Sequence, residues 1–343
     1  MKEVSSRGGF DLPTIYDVAK NAGVSITTVS RVLNNPESVR AKTRQRIEQA
    51  MKDLNYTPNP SARSLNLGIS SIVALVVPDI SNPFYSEMAR GAQDACDERG
   101  YHLLICSSDG KAAKEFQIIQ GLARQRVDGV CMVHYLTDEA SLRLLAESAL
   151  PAVIIGSKPK EFNFDSVGTF GTGNALREIV SQLINSRRQR LAHIAGPVNS
   201  IVGKVRRQQY LQILDRFNLV PDDGLIVESD FTIAGGKNAA LKLLALPEPP
   251  DMIFSANDMM AIGVFQALEE AKLRIPEDMS FFGCDDIFLA GLLRPAITSI
   301  HLPKYELGRQ AAELLFERIS HPEEPLRQLS LEARPIFRTS TEF

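Results

Sequence analysis

The stretch 14-TIYDVAKNAGVSITTVSRVLN-34 decides how the N-terminal part of this 343-residue chain is read. Val18, Ala19 and Ala22 precede Gly23, and Val29, Val32 and Leu33 follow it, each set at helical spacing. Two short helices joined by a tight turn are therefore predicted. Thr14 is placed to cap the first and Ser25 the second, and Gly23 supplies the left-handed residue between them. Small Ala19 lets the helices approach closely, while Val24 and Val29 plug the space between them. These are the requirements of a helix-turn-helix. The pattern leaves Ile26, Thr27 and Arg31 on the outer face of the second helix, whose amide-rich start can approach a phosphate. A three-helix protein-interaction module has the same spacing, so that reading stays open on this stretch alone.

On the C-terminal side, "NNPESV" reads as a turn, and a third helix runs from about Ala41 to Leu54 with Ile47, Ala50, Met51 and Leu54 inward. Its segment 40-RAKTRQR-46 offers Arg40, Lys42, Arg44 and Arg46 either to phosphates or to water. Further on, 56-YTPNPSARSLNLG-68 reads as a linker that also contains a potential helical turn, with Pro60 at its first position after Asn59. On the N-terminal side, residues 1–13 are polar, hold two glycines, and are expected to be disordered. Residues 1–67 carry ten Lys/Arg against six Asp/Glu, and the remaining 276 carry twenty-eight against thirty-five. A basic head on an acidic body points to a polyanionic partner for the head.

After Gly68 short apolar runs alternate with amphipathic segments. The predicted strands are 71-SIVALVV-77, 102-HLLICS-107, 128-DGVCMV-133, 152-AVIIG-156, 191-LAHIAG-196, 225-LIVES-229, 252-MIFSA-256 and 279-MSFFGC-284. Helical patterns between them predict doubly wound parallel sheets, and a break near Asp165–Gly173 divides the strands into two lobes. Ligands in such sheets sit beyond the carboxyl ends of the strands, so a cleft between lobes is the expected site. Four dispersed cysteines without a CxxC pair are expected to be reduced, buried thiols. With no apolar run long enough for a membrane span and no signal-like N-terminus, a soluble cytoplasmic protein is expected. No P-loop, GxSxG or GxGxxG motif and no His/Cys cluster occurs, so neither an enzyme nor a metal or cofactor is expected.

The head motif, followed by "YTPNPSARSL", "VVPDISNPFYSEMARGA", "RVDGV", "FSANDMMAIGVFQAL", "RIPEDMSFFGCDD" and "RPAITSIHLPKYELGRQAAELL", resembles the lactose-repressor/galactose-repressor family of bacterial transcription regulators. The motifs run in family order from Thr14 to about residue 340. The resemblance implies a small all-α helix-turn-helix head (14–58), a hinge helix (59–69) and an α/β two-lobed domain like periplasmic binding proteins (70–343). Lobe 1 would comprise about 70–168 and 299–325, and lobe 2 about 169–298 and 326–343. DNA contacts would come from Thr14, Tyr16, Ser25, Ile26, Thr27, Thr28, Ser30, Arg31 and Asn34 in the head. Asn59, Ala62, Arg63 and Leu65 would contribute from the hinge, Leu65 as a wedge between base steps of the minor groove.

In the body the resemblance points to Asp79, Phe84 and Tyr85, then Arg206, Phe231, Asn257 and Asp285, as effector contacts, and His134 ends the third strand facing the same cleft. Phe84 and Tyr85 could instead be core, Arg206 a surface ion-pair partner, and Asn257 a helix cap. The chain departs from the family where an acidic residue follows the fourth strand (here Gly156) and where Val-Asp-Asn marks the crossover (here Phe170 and Gly171). A modified or anionic sugar, another metabolite, or an altered pocket are therefore all admitted. The resulting expectation is a homodimeric, operator-binding repressor, nucleoid-associated and controlled by a sugar-like or other small effector. The alternatives are corepressor control, a non-sugar pocket, or a solute-binding protein without DNA function.

Overall fold

The computed structural model describes residues 13–56, 69–125, 127–157, 161–186 and 188–342. Most of the N-terminal tail and nearly all of the hinge, including Asn59, Ala62, Arg63 and Leu65, lie outside the described residues. The chain divides into two compact units, 1–70 and 71–343.

The first unit holds α1 (Ile15–Ala22), α2 (Ile26–Asn34), a 3-10 turn (Pro36–Ser38) and α3 (Ala41–Asp53). At the start of α1 the Asp17 carboxylate accepts from the Thr14 amide at 2.8 Å and from its hydroxyl at 2.7 Å, tying down the entry to the helix. These bonds hold the Asp17 carboxyl below the usual range. Gly23 closes α1 at φ 59°, a conformation that a Cβ makes costly. The Val24 amide folds back to the Ala19 carbonyl at 3.0 Å. Val18, Ala19, Ala22, Val29, Val32, Ile47 and Ala50 form the shared core of the three helices.

The second unit contains two six-stranded sheets. The first sheet comprises β1 (Ile72–Val77), β2 (His102–Ser107), β3 (Gly129–Val133), β4 (Ala152–Ile155), β5 (Asp165–Phe170) and β11 (Gln328–Glu332). Its order is β11-β5-β4-β3-β1-β2, all parallel. The second comprises β6 (Leu191–Ala195), β7 (Ile226–Glu228), β8 (Met252–Ser255), β9 (Ser280–Asp285), β10 (Thr298–His301) and β12 (Arg334–Ile336). Its order is β12-β10-β9-β8-β6-β7, parallel except where β12 pairs antiparallel with β10. The continuous apolar run of β1 follows from burial on both faces. Val73, Leu75 and Val77 pack on one side, and Ala74 and Val76 on the other.

Helices α4 (Pro83–Asp97), α5 (Ala112–Gln125), α6 (Ala140–Glu147) and α12 (Lys304–Ser320) cover the first sheet. Helices α7 (Thr172–Asn185), α8 (Ile201–Arg216), α9 (Ile233–Leu244), α10 (Asp258–Glu270) and the short α11 (Phe288–Leu292) cover the second.

One expectation about the lobes needs correction. The chain passes from the first sheet to the second within Asp165–Gly173, but 165–170 there is the strand β5 of the first sheet, and the lobe boundaries shift. β10 lies in the second sheet, with Ser299 opposite Gly283, whereas β11 lies in the first, with Leu329 opposite Val167. The chain thus crosses between lobes at 170–172, 301–304 and 332–334. Backbone pairing decides this, because TSIH is too short to show a period and the alternation of QLSLE names a strand but not the sheet it joins.

Candidate DNA-binding surface and ligand cavity

On the head, the Ser25 hydroxyl accepts from the Thr28 amide at 3.2 Å and lies 2.8 Å from the Thr28 hydroxyl, so α2 begins with a side-chain cap. The cap leaves Ser25, Ile26, Thr27 and Arg31 exposed along one face, while Thr28 and Ser30 are half-buried. Tyr16 is 67% exposed and Thr14 is also exposed, both at the start of α1. Asn34 ends α2.

The basic residues of α3 prove to have different jobs. The Arg46 guanidinium donates to the carbonyls of Ala22 and Gly23, satisfying the last carbonyls of α1. Arg44 pairs with Glu37 at 2.8 Å. Arg40 and Lys42 stay exposed.

In the body, loops at the carboxyl ends of the strands of both sheets enclose a cavity of about 980 Å3. All eight residues named from the sequence line it: Asp79, Phe84, Tyr85, His134, Arg206, Phe231, Asn257 and Asp285. Phe84 and Tyr85 open α4 behind its Asn82 cap, their rings meeting edge to face at 5.1 Å between centroids. Tyr85 is buried, and burial raises its phenol well above the usual range, so it is neutral. Phe84 is half-buried and touches the cores of both lobes. Asp79 is exposed, its carboxylate accepting from the Ser81 amide at 2.9 Å and hydroxyl at 2.7 Å.

From the second lobe, Arg206 is 6% exposed and is no surface ion-pair partner. One terminal nitrogen donates to the Asp285 carboxylate at 2.7 Å and the other to the Ala256 carbonyl. Burial pushes the Asp285 carboxyl up, against the pull of Arg206 and Lys304. The Asp285–Asp286 backbone takes two successive positive φ angles, 113° and 54°, a strained turn that surrounding bonds must hold. Lys304, the first residue of α12, provides them by donating to the carbonyls of Asp286 at 2.8 Å and Asp285 at 3.3 Å.

Asn257 caps α10 by accepting from the Met260 amide at 2.9 Å, and its amide nitrogen donates to the Phe231 carbonyl at 3.2 Å. Phe231 itself sits at φ 65°, its ring over Gly196, where a Cβ would come within 2.1 Å of the ring. Only glycine at 196 leaves room for that ring on the cavity wall.

His134 is buried, its Nδ1 donating to the Ser157 carbonyl, and burial lowers its pKa, so the ring is neutral. Of the departures, Gly156 is on the cavity wall at φ 105°, Gly171 precedes α7 at φ 85°, and neither Phe170 nor Gly171 lines the cavity.

Residues 14–59 match the model of bacterial regulatory proteins of the lacI family, and residues 180–341 that of a periplasmic binding protein-like domain. The chain is 36% identical over 329 residues to the ribose operon repressor of Escherichia coli K12, covering 95% of this chain and 98% of that protein. This chain belongs to the lacI family of bacterial regulatory proteins. It is accordingly a DNA-binding transcriptional regulator. The HTH-type transcriptional repressor PurR of Haemophilus influenzae PittEE is 33% identical over 322 residues, covering 93% of this chain and 95% of that protein. Among solved structures, a Lac repressor dimer bound to operator and the anti-inducer ONPF superimposes with a TM-score of 0.85 at 27% identity, covering 96% of this chain and 99% of that one.

Sequence reasoning missed several wall residues of this regulator. Tyr135 follows His134, its ring 6.2 Å from that of Phe231. The segment beside it also joins the lobes: the Ile201 amide donates to the Tyr135 carbonyl at 2.8 Å and the Thr137 amide to the Asn199 carbonyl at 3.0 Å. Asp109, Ser157, Gln209 and Asp230 likewise line the cavity. Their one signal in sequence was position just after a predicted strand or on the inner turns of a helix, which many residues share. Among the described residues no group of His, Cys, Asp and Glu is arranged to hold a metal ion, and no helix is long and apolar enough to cross a membrane.

Proposed function

We propose that the protein is a homodimeric repressor that reads a pseudo-palindromic operator with α2 and is switched by a small effector held in the body cavity. The observation that carries this is one chain combining a capped α2, outer face exposed, with a cavity lined by all eight expected residues. Ile26, Thr27 and Arg31 would contact base edges, with Tyr16, Ser25, Thr28, Ser30 and Asn34 as their neighbours and Thr14 near the backbone. Arg40 and Lys42 fit phosphate contact better than Arg44 and Arg46, whose guanidinium groups are engaged within the head. Asn59, Ala62, Arg63 and Leu65 would form a hinge that orders on DNA, because so short a helix has no stability alone in water.

Effector binding would bias the two lobes between arrangements and so bias the hinge. The relation to a ribose operon repressor makes D-ribose the first compound to try. The test is a fluorescence-anisotropy titration with DNA upstream of the protein's own gene, with and without D-ribose. Saturable binding lost on deleting residues 1–67 is expected. Specific binding by the truncated body would defeat the assignment. Leu65→Ala is expected to weaken operator affinity about tenfold, roughly 1.4 kcal/mol, without changing effector binding.

A further inference from the structure

Two short segments, one from each lobe, meet in the cavity wall. Residues 135–137 follow β3 of the first sheet, and residues 199–201 lie between β6 of the second sheet and the first turn of α8. The Ile201 amide donates to the Tyr135 carbonyl at 2.8 Å and the Thr137 amide to the Asn199 carbonyl at 3.0 Å. These bonds make Leu136 and Ser200 an isolated antiparallel pair. Leu136 is 3% exposed and Ser200 is wholly buried, so water competes poorly for the pairing. Tyr135 and Ile201 line the cavity itself.

Both halves of this bridge are tied to their own lobes. On the first, the His134 amide donates to the Ile155 carbonyl at 2.9 Å, which carries the pairing of β3 with β4 up to the bridge. On the second, the Val198 amide donates to the Glu228 carboxylate at 3.0 Å. The Ser200 hydroxyl donates to the Pro197 carbonyl at 2.8 Å and accepts from the Gly203 amide at 3.0 Å. Topology adds leverage. The crossovers run from β5, β10 and β11, which stand with β12 at one edge of the two sheets. Counted from those edges, β3 is the fourth strand of its sheet and β6 the fifth. Rotation of the lobes about the crossovers therefore pulls the two tied segments apart and breaks both bonds together.

We propose that the Leu136–Ser200 bridge is a clasp by which the chain's own backbone holds the lobes together, and that the cavity opens only by breaking it. The closed arrangement is then favoured before any contact with an effector is counted. That the clasp also limits effector entry and exit rests on the cavity being the effector site; the clasp itself does not.

The test strengthens and weakens the bridge. Ile201 is the first residue of α8, where proline is well tolerated, and Ser200 before it has φ −99° and ψ 139°, the extended conformation a following proline requires. Ile201→Pro thus removes the bond to Tyr135 while α8 can still form. Leu136→Cys with Ser200→Cys does the reverse. A non-hydrogen-bonded antiparallel pair holds its Cα atoms about 4.5 Å apart, within the roughly 4.4–6.8 Å that a disulfide spans. The reporter is Phe84→Trp in the full-length protein, since the chain has no tryptophan of its own and Phe84 touches the cores of both lobes. Acrylamide quenching of its fluorescence reads lobe separation without DNA or ligand, so the outcome is separate from any failure of operator binding or of D-ribose as effector. Adding Ile201→Pro is expected to raise the ratio of open to closed molecules about fivefold, the effect of one hydrogen bond, and so to increase quenching. Ile201→Ala, which keeps the amide, is expected to increase it less. The oxidised double variant is expected to be quenched less than its own reduced form, a comparison within one folded protein. Equal quenching of the oxidised and reduced forms overturns the proposal. So does equal quenching of Ile201→Pro and Ile201→Ala, or failure of the two introduced thiols to oxidise with each other.

Discussion

Arg206 and Asp285 form an ion pair with both side chains buried, so single substitutions there are expected to affect stability. Removing one partner leaves the other charge buried and unpaired, which costs about 3 kcal/mol or more. Arg206→Ala is therefore expected to lower the thermal midpoint of the body in a scanning-fluorimetry melt. The double change Arg206→Met with Asp285→Leu is expected to recover part of that loss, because no lone charge remains. A double variant less stable than Arg206→Ala would contradict this account. Two other buried carboxyls govern the pH response. Burial raises Glu115 from 4.5 to about 7 and Asp258 from 3.8 to about 8. Both are raised in the folded state, so their contribution is full below the unfolded values and is lost as pH rises through about 7 and 8. For Glu115 the shift corresponds to roughly 3 kcal/mol. The urea midpoint of the full chain is expected to fall between pH ~5 and pH ~8, and to fall less in Glu115→Gln. A flat wild-type profile would count against the assignment.

At the scale of elements, the head shows how much local chemistry specifies. The Thr14–Asp17 bonds, Gly23 at φ 59° and the Ser25 cap each satisfy a backbone requirement that neighbouring residues create. Ser25→Ala is expected to destabilise the first turn of α2 by about 1 kcal/mol. Faster hydrogen exchange of the α2 amides, with body amides unchanged, would show it. The head was legible because its apolar spacing, caps and turn glycine agree over a short distance. The body was legible where strands are buried on both faces, as in β1. It was not legible at β5, β10, β11 and β12. DSVGTF mixes polar residues into its strand, QLSLE alternates regularly but only over five residues, and TSIH and RPI are too short to show a period. Their strand character comes from pairing with partners distant in sequence. The role of Arg46 was hidden for the same reason, since its acceptors at Ala22 and Gly23 belong to another helix.

For the whole molecule, the basic head and acidic body predict a strongly salt-dependent operator affinity. Each phosphate neutralised adds about 0.9 to the negative slope of log affinity against log salt. Arg40→Ala with Lys42→Ala is expected to reduce that slope by up to about two, whereas Arg44→Ala, whose guanidinium pairs with Glu37, is expected to change it little. Anisotropy titrations over a range of salt concentrations check both statements. The sequence by itself determined the helix-turn-helix, the two-lobed α/β body and the family, because these rest on apolar periodicity, turn residues and motif order along the chain. It also named eight residues that line one cavity, through a resemblance that preserves their positions. The tertiary structure alone decided the lobe boundaries, the pairing of Arg206 with Asp285, and the carbonyls that Arg46 and Lys304 hold. Each depends on atoms brought together across long loops, where burial removes the water that would otherwise satisfy or screen them.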